Sequence, residues 1–234
     1  MSNVSQVLTA SDIAEVTTDK LHTLGTEAVT VDGRKFRYAK AGAADLAAGK
    51  LAVAADAVAT VVNVAATAVA KVGGREVKLT AGAAVAANAY ADGILQVNDA
   101  NGEGHTYRIV GNTAGTAIIV RLADALHTAL ALTSEVSLYK NEFDSIVISA
   151  VDQADLAVGV ANVVIPASNY GWVQTHGMAA VLADEAVTRG QTLTIGTGVA
   201  GAVEAADLIG EQTVGVAAQA LVDTEYSPVF LTIG

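Results

Sequence analysis

The residues of this chain that could do chemistry fall into a few groupings. Gly196-Thr-Gly-Val-Ala-Gly201 has the glycine spacing of a dinucleotide-binding turn and follows an expected strand at 192–195. In that context backbone N–H groups can cradle a pyrophosphate. Only 33 residues follow Gly201, however, and none is basic. That is too few for the downstream elements of a doubly wound sheet, so the segment reads as a glycine-rich turn. Asp99-Ala-Asn-Gly-Glu-Gly104 sets oxygen ligands at alternate positions, but Val110 stands where a calcium loop needs its bidentate glutamate. A hairpin turn accounts for it. His22, His105, His127 and His176 show no zinc-site spacing. The chain has no cysteine, which removes disulfides, thiolate metal sites and thiol nucleophiles.

Neither a Gly-x-Ser-x-Gly elbow nor a phosphate-binding Gly-x-x-x-x-Gly-Lys-Ser/Thr loop is present. The carboxylates are too scattered to pair into an acid/base couple. The expectation is a non-enzyme with no catalytic, cofactor-binding or metal residues. One grouping is left: Arg34, Lys35, Arg37 and Lys40 put four of the 13 basic residues within seven positions. A solvated strand face is the plain reading, and contact with an acidic protein surface is the sharper one.

The elements that must position these residues read mostly as strands. Asp32-Gly33 between residues 27–31 and 34–38 marks a two-residue hairpin. Pairing Val31 with Arg34 then places Val29, Val31, Phe36 and Tyr38 on the buried face, and Thr30, Lys35 and Arg37 on the wet one. Residues 94–97 and 106–110 alternate around the acidic turn and form a second hairpin. Residues 41–91 are alanine-rich, so a helix competes with strands there. The β-branched Val58, Val61, Val62, Val64 and Val69, the Gly73-Gly74 turn and the alternation at 75–80 favour strands. Further strands are expected at 117–122, 136–139 and 145–149, with a short helix at 123–132.

At the N-terminus residues 1–10 read as a mobile arm. After them Ile13, Val16, Leu21 and Leu24 recur near helical spacing behind a Thr9/Asp12 capping box. Beyond residue 155, glycines at 171, 177, 190, 196–201, 210 and 215 mark turns at the spacing of a small sandwich or barrel. The expected fold class is all-β with minor α, divided as an arm with a short helix (1–25), a β-rich module (26–155) and a small C-terminal β-sandwich or barrel module (156–234).

Composition bounds the partners. The apolar fraction is 52 % but only 4 % of residues are aromatic. The core is therefore built from small side chains that each yield little on burial, which favours added stability from a homo-oligomer. The longest charge-free run, 156–183, is interrupted by Pro166, Ser168, Asn169, Gln174 and His176, so no membrane span is expected. The acidic start, with Asp12, Glu15 and Asp19 before Lys20, is unlike a secretory signal. The sequon at Asn3 then carries no weight. Net charge is −11, and after Val151 nine acids face only Arg189. Such a surface repels nucleic acid.

Two stretches resemble virion proteins of tailed bacteriophages. The first is Leu24-Gly-Thr-Glu-Ala-Val-Thr-Val-Asp-Gly-Arg-Lys-Phe-Arg-Tyr-Ala-Lys-Ala-Gly-Ala, continuing to Ala-Gly-Lys-Leu51. The second is Tyr170-Gly-Trp-Val-Gln-Thr-His-Gly177 with Val187-Thr-Arg-Gly-Gln and the region 203–216 that ends Val-Gly-Val. Such stretches are similar to those of capsid decoration, or cement, proteins. The resemblance implies a β-rich structural protein on the outer surface of the virion. It would bind the major capsid protein, bridge coat subunits and often assemble as a trimer, with no active-site residues to carry over. Arg34, Lys35, Arg37 and Lys40 are then the candidate capsid contacts. A tail or baseplate component and a β-rich glycan-binding module are the alternatives.

Overall fold

The computed structural model describes residues 6–151, 153–208 and 210–234. With 44 % strand and 3 % helix the fold is all-β. In chain order the strands are β1 (Gln6–Leu8), β2 (Glu27–Thr30), β3 (Lys35–Lys40), β4 (Leu51–Val53), β5 (Val64–Ala65), β6 (Glu76–Val85), β7 (Ile94–Asp99), β8 (Thr106–Asn112) and β9 (Gly115–Leu122). They continue as β10 (Glu135–Tyr139), β11 (Val147–Ile148), β12 (Ala157–Ala161), β13 (Tyr170–Leu182), β14 (Thr192–Ile195), β15 (Val203–Ala205), β16 (Gly215–Ala217) and β17 (Tyr226–Thr232). The one α-helix among the described residues, α1 (Ala10–Ile13), is held by the capping box expected of Thr9 and Asp12.

The chain divides into two compact units: Met1–Ala55 with Glu142–Gly234, and the inserted Asp56–Asn141. The expected boundary near residue 155 falls inside the first unit. The shift in charge there marks a change of surface, not of pairing partner. Strand β4, before the insertion, pairs with both β11 and β12 after it.

In the first unit the sheet runs β1-β2-β3-β13-β17-β16-β14-β15, with β12 beside β13 and β4. Strand β13 organises it. Residues 171–175 are buried in unbroken succession, where β13 lies between β3 and β12. Past a bulge between Gln174 and His176 the strand alternates as one face becomes wet. The buried Gln174 side chain ties this bulge, donating from Nε2 to the carbonyls of His176 (3.1 Å) and Met178 (2.9 Å). Two cores result. One gathers Leu8, Ile13, Leu24, Phe36, Tyr38, Phe143 and Trp172. The other is wholly aliphatic, with Leu51, Val181, Leu193, Ile195, Val229 and Leu231 among its members.

The first core corrects the expected N-terminal arm. Residues 1–5, including the Asn3 sequon, lie outside the described residues, but β1 pairs in parallel with β2, and Leu8, Ile13 and Leu24 are buried. The helix stops at Ile13; Leu24 is buried in the core and half-buried Val16 packs against it, while Leu21 stays exposed. The hairpin is also corrected. Thr30 N–H donates to Arg34 O, and Gly33 N–H to Thr30 O, both at 2.9 Å. The loop is therefore the three residues 31–33, with Gly33 in the left-handed region at φ +84°. Ala28 then faces Phe36, and Val29 faces Lys35. This one-residue slip turns β2 over: Ala28 and Thr30 are buried, while Val31 is 95 % exposed.

The inserted unit is a six-stranded sheet, β5-β10-β7-β8-β9-β6, curled into a nearly closed barrel by a bridge between Ala66 and Leu79. Register shifts interrupt β6, β8 and β10 where they pair with their neighbours, the irregularities that let a sheet bend toward closure. Inward Val77, Leu79, Leu95, Val97, Ile109, Ile118, Val120, Val136 and Leu138 fill it. Buried Asn112 pins the loop at its end, accepting from Tyr90 N–H (3.0 Å) and donating to the carbonyls of Ala86 and Thr113 (2.9 Å each). Within 41–91 the described structure is strand, turn and one 3-10 turn at Ala59–Val61, as the β-branched residues favour. The helix expected at 123–132 does not form. Those residues make bends, with Leu130 bridged to Ala70, because Leu126 and Leu130 are drawn into the barrel core.

Candidate functional site

Arg34, Lys35, Arg37 and Lys40 lie along β3 and the loop before it, all half-buried. The structure neutralises two of the four locally. Arg34 Nε sits 2.9 Å from Asp32 Oδ2, with its guanidinium 5.6 Å from the Phe36 ring centroid. The strand pairing that sets Glu27 opposite Arg37 brings Arg37 Nη2 to 3.0 Å from Glu27 Oε2, while Nη1 donates to Gly25 O at 3.0 Å. Asp32 titrates below the ordinary carboxylate range, chiefly because the Thr30 hydroxyl donates to it and secondarily through Arg34. Lys40 Nζ lies 5.7 Å from the Tyr170 ring centroid. Lys35 is in no ion pair among the described residues. The hairpin thus presents two uncompensated cations, Lys35 and Lys40, where the sequence shows four.

Behind the hairpin is an aromatic layer contributed by distant segments. Tyr38 stacks on Tyr170 (5.9 Å between centroids, 8° between planes) and meets Trp172 edge-on at 5.2 Å. His22 packs against both Tyr38 and Trp172 at 5.0 and 5.4 Å. The Tyr38 hydroxyl accepts from Leu21 N–H at 3.1 Å. Strand pairing from Tyr170↔Lys40 to Gln174↔Phe36 fixes this layer. Beyond the bulge, the outward face of β13, β17 and β16 carries Met178, Ala180, Tyr226, Pro228, Phe230 and Val216. Among them Met178 is paired with Phe230, and Phe230 with Val216. These outward positions bear no charge, and Met178, Tyr226 and Phe230 are exposed.

The other groupings resolve as follows. The glycine segment 196–201 is the turn between β14 and β15, and its donors are taken by the chain's own carboxylates. Gly198 N–H donates to Asp184 Oδ2 at 2.6 Å, and Thr197 N–H and Oγ1 to Glu204 Oε2 at 2.9 Å each. Negative charge stands where a phosphate would have to sit. In the loop joining β7 and β8, Asp99 Oδ1 accepts from Ala100 N–H at 2.6 Å, and Gly104 N–H closes the turn onto Val97 O at 3.0 Å. His105 and His127, remote in sequence, approach to 6.3 Å between centroids, and each lies 6.2 Å from the Tyr107 ring. Among the described residues no three histidine, aspartate or glutamate side chains gather around a common metal position.

Sequence reasoning missed a second basic grouping, Lys71, Arg75 and Lys78, which lines a groove of about 310 Å³ in the barrel unit. The available signal was three basic residues within eight positions around the Gly73-Gly74 turn. These arrangements suit recognition of charge and of protein surface through packing and ion pairing. Compared with protein-family models, curated proteins and solved structures, the chain matches none.

Proposed function

We propose that the chain is a structural protein of a tailed-bacteriophage virion, a decoration protein that binds the outer surface of the assembled head and bridges coat subunits. The observation that supports this reading is where the resembling stretches meet. Residues 24–51 and 170–177, more than a hundred positions apart, are joined strand to strand through β3 and β13 and share the core around Phe36, Tyr38 and Trp172. These two segments thus lie side by side in one sheet, while 187–191 and 203–216 contribute Val187, Val203 and Val214 to the aliphatic core of the same unit. Two surfaces of this unit suit a protein partner: the hairpin with Lys35 and Lys40, and the charge-free outward face of β13, β17 and β16. Apolar exposure of the second kind marks association surfaces, in keeping with a homo-oligomer, a trimer by the family resemblance.

The test is to mix purified protein with undecorated capsids and count bound copies by electron microscopy. Saturation at icosahedral positions is expected. Absence from the head with binding to tails, or to glycans alone, overturns the reading in favour of its alternatives. Reversal of Lys35 and Lys40 to glutamate should lower occupancy in a salt-sensitive way. Reversal of Asp207 and Asp223 to lysine should leave it unchanged.

A further inference from the structure

We propose that the barrel unit carries a binding groove for a small anionic ligand, a molecule bearing a phosphate, sulfate or carboxylate group, formed by Lys71, Arg75 and Lys78. The groove, about 310 Å³ and lined by residues 68–71 and 74–78, has the capacity of a small-molecule site. Its walls are set by backbone hydrogen bonds. Thr67 N–H donates to Lys78 O (2.9 Å), Ala70 and Leu130 exchange N–H···O bonds (3.0 and 2.8 Å), and Gly74 N–H closes the turn onto Lys71 O (2.9 Å). Gly73, at φ +82°, lets the chain reverse there.

The charges in this groove are uncompensated. Lys71 and Lys78 form no ion pair among the described residues. Arg75 spends one N–H on the Ala123 carbonyl and keeps the remaining donors of its planar fork, the geometry that matches carboxylate, phosphate and sulfate oxygens. The single acid on the lining, Glu76, is 3.7 Å from Arg121. Three basic residues against one acid leave the lining with an excess of positive charge. The hairpin differs, because Asp32 and Glu27 already occupy its two arginines. The wider field agrees: the first unit holds seven basic and 17 acidic residues and repels anions, while the barrel holds six and seven. Ala68, Val69 and Ala70 supply an apolar wall for the body of the ligand.

This site is independent of the proposed role on a capsid. The experiment is a titration of the full, isotope-labelled chain with inorganic phosphate, sulfate and acetate in turn, read by amide chemical shifts. Expected are saturable shifts concentrated at 68–78. They should weaken about tenfold in the Lys71→Gln/Lys78→Gln double variant and stay unchanged in Lys35→Gln/Lys40→Gln. The order of affinity among the three probes identifies the preferred group. Both variants change exposed or half-buried side chains, and the dispersion of their own spectra verifies folding. Shifts that never saturate, that spread evenly over the basic residues of both units, or that persist in the Lys71/Lys78 variant overturn the proposal.

Discussion

The first unit carries seven basic against 17 acidic residues, a net charge of −10, whereas the inserted barrel carries six against seven, a net of −1. Their interiors differ as sharply. The first unit has an aromatic core around Phe36, Tyr38, Phe143 and Trp172 and a separate aliphatic one. The barrel has a single core whose only aromatics are Tyr90 and Tyr107. Connectivity differs too. In the barrel β7, β8 and β9 pair as sequence neighbours, but the first unit pairs β3 with β13 and β4 with β12 across the whole insertion. Loop-closure entropy grows only slowly with length, and Val53 on β4 lies opposite Val147 on β11. The barrel's two ends therefore leave from adjacent strands, a placement that tolerates an inserted unit.

If each unit rests on its own core, the largest mutational effects should separate. Phe36→Ala, at a fully buried position, should cost about 3–5 kcal/mol, and Leu95→Ala about 2–5 kcal/mol. Trp172, the one tryptophan of the chain, reports the first unit alone in fluorescence-detected urea unfolding, while circular dichroism reports both. Phe36→Ala should move the Trp172 midpoint; Leu95→Ala should move only the dichroism curve. Equal displacement of the fluorescence midpoint by both variants would break the comparison, making the chain one cooperative block.

Close backbone approach offers a finer test in both units. A Cβ on Gly215 would lie 2.4 Å from Phe230 O, and one on Gly93 would lie 2.2 Å from Tyr139 O. Strand spacing forbids either, so Gly215→Ala and Gly93→Ala should each cost about 1–3 kcal/mol through overpacking. Gly33→Ala meets open space but must hold φ +84°, and should cost about 1 kcal/mol. Urea midpoints that rank Gly33→Ala as the most damaging would show that backbone conformation, not crowding, dominates at these positions.

What could be read from the sequence follows the same division. Local signals were legible: the Asp32-Gly33 reversal, the β7–β8 hairpin, the alternation at 75–80 and the Thr9/Asp12 cap depend on neighbours along the chain. Register was not, because Gly33 serves a two-residue and a three-residue loop equally well, and only the burial of Ala28 and Thr30 against β1 and β3 decides between them. The helix at 123–132 failed because Leu126 and Leu130 have partners on the barrel that propensity cannot see. The domain boundary failed because strand pairing across an insertion leaves no compositional trace. For the candidate site, the position of the Arg34 to Lys40 cluster was legible, but its neutralisation was not: Glu27 reaches Arg37 across a strand pair that the mistaken register separates.

The smallest effect tests that neutralisation. Asp32 is held below its ordinary titration range mainly by the Thr30 hydroxyl, then by Arg34. A carboxylate whose folded value is depressed stabilises the fold above its unfolded value of about 3.9, and the contribution is lost as pH falls through the folded value. Asp32→Asn should therefore be slightly less stable than the parent at neutral pH and equal to it in strong acid. A carbon-detected titration should place the Asp32 midpoint below the ordinary aspartate range. Thr30→Val, which keeps the buried shape and removes the hydroxyl, should bring it back toward that range, and Arg34→Gln should do so by less. If Thr30→Val leaves the midpoint where it was while Arg34→Gln restores it, the ion pair rather than the hydroxyl governs Asp32. Arg34 would then be more firmly committed to its own loop, sharpening the contrast with the three unpaired cations of the barrel groove.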